Sequence, residues 1–169
     1  MVDGSVLEAV KLGLKGELDS VTIYSEAFER SSGEVAVFFA DRVAEEKRHY
    51  NWLLKYYNEM LGGTMPNYNL AAEVFGMEEQ SPIVTADFLK RVGESQYLVT
   101  AVASAALLEA NAVKHYRAAA EKAGAKRNAA LRDFFNSLAG WEEQHYEDLM
   151  RIQEESRQHW FDAQNFEPF

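Results

Sequence analysis

A Glu-x-x-His motif that occurs twice places the strongest restriction on how this chain can fold. The first copy is Glu46–His49, in the segment AEEKRHYNWLLKYY, and the second is Glu142–His145, in WEEQHYEDLM. Apolar residues at helical spacing precede and follow both copies, so each motif lies on the face of its helix that should be buried. Two helices therefore carry a carboxylate and an imidazole where a core would normally have hydrophobic side chains.

Two further glutamates occupy equivalent places in the other helical patterns. The segment GELDSVTIYSEA, residues 16–27, resembles LEANAVKHYRAA, residues 108–119, and each contains a Glu followed seven residues later by a Tyr. These pairs are Glu17 with Tyr24 and Glu109 with Tyr116. The sequence thus contains an internal duplication in which every long helix directs one Glu inward.

The apolar periodicity predicts four long helices, with ends marked by Gly and Ser. They are expected over residues 5–30, from Ser31 to Gly62, over residues 85–123 and over residues 126–158. A capping box of Ser31 and Glu34 should open the second helix. An interruption is expected near Gly93 in the third helix, and Gly124 should cap its C-terminus.

The connections between these helices predict how they pack. The joins at residues 31–33 and 124–125 are short, which makes each pair of helices an antiparallel hairpin. Residues 62–84, interrupted by Gly, Pro and Asn, should form a long connection between the hairpins, with a short turn at LAAEVFG. We therefore predict an all-α four-helix bundle, two antiparallel hairpins joined by one long crossover, over residues 1–158. Residues 159–169 are expected to be an irregular aromatic tail.

Four buried carboxylates need a counter-charge, because isolated anions in an apolar interior are strongly destabilising. Two divalent cations balance four carboxylates, and a Glu and a His three residues apart on a helix can reach the same ion. Carboxylate and imidazole ligands suit iron and manganese, and zinc is a further candidate. We expect a dinuclear metal centre, most simply of two iron ions per chain, with these ligands: Glu17, Glu46, His49, Glu109, Glu142 and His145.

The composition argues against several other kinds of function. A net charge of -10 is unfavourable for binding nucleic acid or an anionic membrane. Since the chain has no cysteine, it has no disulfide, thiolate zinc site or iron–sulfur cluster. No segment reaches the roughly 18 apolar residues of a membrane span, and the N-terminus lacks a signal-peptide pattern. A cytoplasmic location is therefore expected.

Four segments of the chain resemble the rubrerythrins, a family of ferritin-like di-iron proteins: KGELDSVTIYSEA, FFADRVAEEKRHYNWLLKYY, LLEANAVKHYRAAAEKA and LAGWEEQHYEDLM. The resemblance runs from about Leu12 to Met150. It implies a ferritin-like bundle whose metal ligands are the six residues given above. It further implies that Tyr24 lies beside the metals with Tyr116 as its duplicate, and that the protein reduces peroxide or O₂, or oxidises ferrous iron.

Two departures from that family change the expectation. Rubrerythrins usually carry a second Glu three residues after the ligand in the third helix, where this chain has Ala112. A plain six-ligand site is therefore expected. Classical rubrerythrins also carry a rubredoxin domain with four cysteines, which this chain lacks. Its electrons should come from an external donor, rubredoxin-like or similar, or from substrate iron.

Three other functions are compatible with the same residues. They are iron storage in a hollow assembly, manganese catalase-like dismutation of peroxide, and a structural bundle with a vestigial site. Aromatic side chains in the long connection and the tail need cover, which predicts a homodimer.

Residues near the motifs receive simpler assignments. Glu45 and Glu143 are expected on solvated helix surface, and His115 at the surface or beside the site. Trp52 and Trp141 are expected to be core or dimer contacts rather than electron relays.

Overall fold

The structure is a computed structural model that describes residues 4–63, 82, 84–126 and 128–165. All regular structure in these ranges is α-helical, as predicted. The five helices are α1 (Gly4–Glu29), α2 (Gly33–Leu61), α3 (Ala86–Glu94), α4 (Gln96–Ala125) and α5 (Ala129–Gln164).

The four long helices form the predicted bundle of two hairpins. Helix α1 packs along α2, α4 packs along α5, and the hairpins meet through α1 and α4. The short helix α3 lies mainly against α5. The chain thus places the middles of α1, α2, α4 and α5 around a common centre.

Two hydrophobic clusters occupy the bundle on either side of that centre. Along α5, the buried apolar residues from Leu131 to Ala139 belong to one cluster, and Leu149 and Ile152 belong to the other. Glu142 and His145 lie between these two stretches and are as buried as the apolar residues around them. The polar layer is therefore enclosed at both ends by packed side chains, which keep bulk water away from it.

The predicted capping box at the start of α2 is wrong. The N-cap is Ser32, whose side chain makes no capping hydrogen bond. The Ser31 hydroxyl instead donates to the carbonyl of Phe28 at the end of α1, and Glu34 accepts a hydrogen bond from Thr85. Both side chains of the expected box are thus used by other parts of the chain.

The third predicted helix is two helices, α3 and α4, which meet at Ser95 close to the expected interruption. The hydroxyl of Thr85 accepts a hydrogen bond from the amide of Phe88, and that of Ser95 accepts one from Leu98. Each helix therefore has its own N-cap. The C-terminal cap predicted at Gly124 is wrong, because α4 continues through Ala125 and is capped by Lys126.

Helix α5 continues to Gln164, past the predicted end at Gln158. Residues 159–164, expected to be irregular, are therefore helical. The indole of Trp160 donates a hydrogen bond to the side chain of Gln96, which ties this extension to the start of α4. The predicted turn at LAAEVFG and the last four residues of the tail lie outside the described residues. Within the described residues, no helix combines the length and apolarity that a bilayer span needs.

Candidate metal centre

All six predicted ligands are buried at the middle of the bundle. Glu46, Glu109 and the two histidines have no exposed surface, and Glu17 and Glu142 are exposed by 2% and 1%. Each side chain continues an apolar stripe, because residues three, four and seven apart share one face of an α-helix. The sequence pattern alone therefore predicted the burial of these six groups correctly.

The side chains converge into two groups that share members. In each group, one ligand atom from every residue lies within 4.8 Å of one atom from every other, as in a shell around a single ion. The groups are Glu17, Glu46, His49 and Glu142, and Glu46, Glu109, Glu142 and His145. Glu46 and Glu142 belong to both, a distinction that the sequence could not make.

Each histidine faces the glutamate of the other motif. Nδ1 of His49 lies 3.0 Å from Oε1 of Glu142, and Nδ1 of His145 lies 2.9 Å from Oε1 of Glu46. The glutamate three residues before each histidine is farther away, at 3.9 Å for His49 and 3.5 Å for His145. The two motifs therefore interlock across the interface between α2 and α5.

The two buried tyrosines hydrogen-bond to Glu17 and Glu109, the outer glutamates, which each belong to only one group. Each tyrosine contacts the glutamate of the other helix. The Tyr24 hydroxyl on α1 donates a hydrogen bond of 2.5 Å to Oε1 of Glu109 on α4. The Tyr116 hydroxyl on α4 donates to Oε1 of Glu17 on α1. Burial, followed by the nearby carboxylates Glu109 and Glu17, raises the pKa of both phenols well above the ordinary value. Both therefore remain protonated donors at neutral pH.

The electrostatics distinguish Glu17 and Glu109 from Glu142. Burial and the neighbouring carboxylates raise the pKa of Glu17 and of Glu109 well above the ordinary value. Burial also acts to raise the pKa of Glu142, but His49 and His145 outweigh it and hold that pKa below the ordinary value. Without a cation, the surroundings therefore shift Glu17 and Glu109 towards the protonated form and Glu142 towards the anion.

The donor set fits a pair of divalent cations. In the described part of the chain, these glutamate oxygens are buried without a hydrogen bond: Glu17 Oε2, both oxygens of Glu46, Glu109 Oε2 and both oxygens of Glu142. Buried carboxylate oxygens are normally satisfied, so a cluster of this kind needs an explanation. Oxygen and imidazole ligands around two adjacent positions provide a chemically suitable one.

Some residues around the centre differ from their assignments. Glu45, expected at the surface, has only 13% of its side chain exposed, and its Oε2 lies 3.4 Å from Nε2 of His145. Glu143 is exposed as expected and pairs with Arg117. His115 is partly buried, with Nε2 2.8 Å from the carbonyl oxygen of Ala9.

Sequence reasoning missed two buried charges beside the site. Arg42 and Asp148 are each only 3% exposed. Arg42 stands four residues before Glu46, on the same helix face, and Asp148 stands three residues after His145. Extending each motif by one turn in both directions would have found them.

A sequence profile of the rubrerythrin family matches residues 8–153. The chain belongs to the rubrerythrin family. Among solved structures, this rubrerythrin-family protein is similar to a crystal structure of ferritin like, diiron-carboxylate proteins from Bacillus anthracis str. Ames. The TM-score is 0.60, with 17% identity over 88% of this chain and 95% of that chain. No curated protein matches the chain.

These findings confirm the predicted family and the ferritin-like, all-α fold. The low identity to the solved structure makes that likeness evidence for the fold alone. Rubrerythrin membership and the two buried Glu/His groups together indicate a carboxylate and histidine metal site.

Proposed function

We propose that this rubrerythrin-family protein is a non-haem di-iron oxidoreductase that reduces hydrogen peroxide or O₂ at the centre of its bundle. The observation that carries the proposal is the convergence of six buried side chains into two overlapping groups of four. Overlap is what a dinuclear centre requires, because bridging ligands must reach both ions. In this proposal, Glu46 and Glu142 would be ligands common to both ions, His49 and Glu17 would help to hold one ion, and His145 and Glu109 would help to hold the other.

The bound metal would supply the redox chemistry. With iron bound, a ferrous pair would supply the two electrons that, together with two protons, convert one molecule of hydrogen peroxide into two of water. Oxidation of ferrous iron supplied as substrate uses the same two-electron balance. Manganese and zinc can bind to the same ligands, so the identity of the metal as iron is itself proposed.

The chain's own residues bind, orient and exclude water. Tyr24 and Tyr116 donate hydrogen bonds to Glu109 and Glu17, which fixes the direction of the remaining oxygen of each carboxylate. The hydrophobic clusters at both ends of the layer keep the centre dry. In such an environment, fixed charges act more strongly on a reacting molecule than they do in water.

Electrons for repeated turnover must come from outside this chain in the proposed reaction. The sequence contains no cysteine to hold a rubredoxin-type iron site. We propose a separate rubredoxin-like or similar donor, a cytoplasmic location and a homodimeric assembly.

The decisive experiment mixes reduced, iron-loaded protein with peroxide or O₂ in a stopped-flow instrument. We expect ferric absorption to develop several-fold faster than for free ferrous ion with at least one oxidant. Rates equal to those of free ferrous ion with both oxidants would refute the enzymatic function. Tyr57→Phe, a change in a partly buried tyrosine outside the centre, is a control that should leave the rate unchanged.

Two further measurements separate the competing functions. Peroxide consumption with release of O₂ and without any reductant, by manganese-loaded protein, would favour dismutation. A native mass of a large hollow shell rather than a dimer would favour iron storage.

A further inference from the structure

The internal duplication allows each side chain near one histidine to be compared with its counterpart near the other. Around the two motifs, corresponding residues are 96 positions apart, as Glu46 and Glu142 show. The ligands and the tyrosines that follow them are the same in both halves. The residues that surround the ligands are different, and the difference changes the chemistry beside each histidine.

The surroundings of His145 are polar. Nε2 of His145, on the opposite side of the ring from the centre, lies 3.4 Å from Oε2 of Glu45. The same oxygen lies 3.0 Å from Nη1 of Arg42, a guanidinium that is only 3% exposed. Asp148, also 3% exposed, stands one helical turn after His145. The chain Arg42–Glu45–His145 therefore leads directly to the centre.

The surroundings of His49 are aromatic. The counterpart of Glu45 is Trp141, whose ring stacks on His49 with centroids 5.2 Å apart and planes at 13°. The counterpart of Asp148 is Trp52. Its ring centroid lies 5.6 Å from that of His49 and 5.3 Å from that of Trp141. The counterpart of Arg42 is Leu138. One half of the duplication thus has charged residues at the positions where the other half has indoles and an aliphatic side chain.

We propose that the two metal positions are unequal, and that the position served by His145 binds a divalent cation more tightly. This inference rests on the proposed metal centre. A carboxylate at the outer nitrogen favours the imidazole tautomer with its proton on Nε2, in which the unprotonated Nδ1 carries the lone pair that binds a cation. Arg42 fixes Glu45 and also balances its charge, so Glu45 acts as a positioning residue through orientation rather than through added negative charge. Stacking with Trp141 restrains the plane of His49 but does not select a tautomer.

The test titrates metal-free protein with Co²⁺ and follows binding by calorimetry and visible absorption. Because the two positions share Glu46 and Glu142, filling one weakens the other even in a symmetric centre. A titration with one tight and one weak binding step therefore does not show which position binds more tightly. Variants must assign the tight step to one of the two histidines. We expect His145→Ala to lose the tight step and His49→Ala to keep it.

The same titration tests the role of Glu45. Glu45→Ala should weaken the tight step by about 10–100-fold, the usual effect of removing a group that orients a ligand. Arg42→Leu/Glu45→Ala should do the same without leaving a buried guanidinium unpaired, and its melting temperature shows whether the fold is retained. Glu143→Ala is the matched control, because it removes an exposed carboxylate beside Glu142.

Two results would overturn the inference while leaving the metal centre in place. One is an unchanged tight step in both Glu45 variants, and the other is loss of the tight step in His49→Ala. Protein that binds no Co²⁺ at all would overturn both this inference and the proposed function.

Discussion

A buried carboxylate is the most costly single residue in this core, and four of them meet at the centre of the bundle. Glu142 is compensated by two histidines. Glu17 and Glu109 each accept a hydrogen bond from a tyrosine and also lie near one histidine, but burial and the neighbouring carboxylates outweigh that histidine. The raised pKa of these two glutamates expresses that imbalance. Individual side chains therefore make the metal-free protein sensitive to pH.

The metal-free protein should lose stability as the pH rises from the ordinary pKa of a glutamate through the raised pKa of Glu17 and of Glu109. Because the folded pKa of Glu17 and of Glu109 lies above the unfolded value, the folded state binds more protons in this range. Stability contributed by these groups is present at low pH and is lost as the pH rises through their folded pKa. Melting temperatures in chelator should therefore fall with pH, by about 2–4 °C for each kcal/mol lost in a protein of this size.

Glu17→Gln/Glu109→Gln should remove most of this pH dependence, because glutamine keeps the shape without titrating. Glu8→Gln/Glu121→Gln removes two exposed carboxylates and controls for net charge. A wild-type curve that is flat over the range, or equal slopes in both double variants, would contradict the expectation.

At the level of helices, glycine decides how closely α3 approaches α5. A Cβ added at Gly93 would lie 2.5 Å from the carbonyl oxygen of Ser156 and 2.5 Å from Cβ of His159. One of these atoms belongs to the backbone, so a flexible side chain cannot relieve the contact. The glycine that sequence reasoning took as a helix interruption is therefore also a packing residue.

Gly93→Ala should destabilise the protein by about 1–3 kcal/mol, the usual cost of overpacking. The matched variant is Gly140→Ala, in the interior of α5, where an added Cβ meets nothing within 4 Å. That change should stabilise the protein by about 0.5–1 kcal/mol, since alanine favours the helix more than glycine does. Denaturant midpoints measure both effects, and a Gly93→Ala variant as stable as wild type would contradict the close approach.

The whole molecule is organised around one polar layer to which all four long helices contribute. Helices α1, α2, α4 and α5 each provide at least one of the converging side chains. A cation bound to them would connect both hairpins at once. Metal binding and global stability should therefore be linked.

Loading with metal should raise the melting temperature, because a ligand that binds only the folded state stabilises it by about 2.7 kcal/mol at 100 times its dissociation constant. Glu46→Ala removes a member of both groups and should abolish most of this rise. Glu17→Ala removes a member of one group and should leave about one ion per chain. Elemental analysis and calorimetry check the two effects, and an unchanged stoichiometry in Glu46→Ala would exclude that residue as a ligand.

Helical periodicity and the internal duplication were sufficient to predict the bundle, its hairpins and the burial of all six side chains. These properties depend on which face of a helix a residue occupies, and spacing along the chain determines that face. The ends of the helices were less predictable. Ser31 and Glu34 have local partners in a capping box, but Phe28 and Thr85 compete for them in the folded chain.

Only the tertiary structure decided which residues meet between helices. Glu46 and Glu142 share both groups, and Glu45 reaches His145, because α2 and α5 adopt a particular rotation and offset against each other. That arrangement arises from the packing of the entire core, since no short segment contains both partners. Periodicity therefore determined which side chains are buried, and the packing of the helices determined what each one contacts.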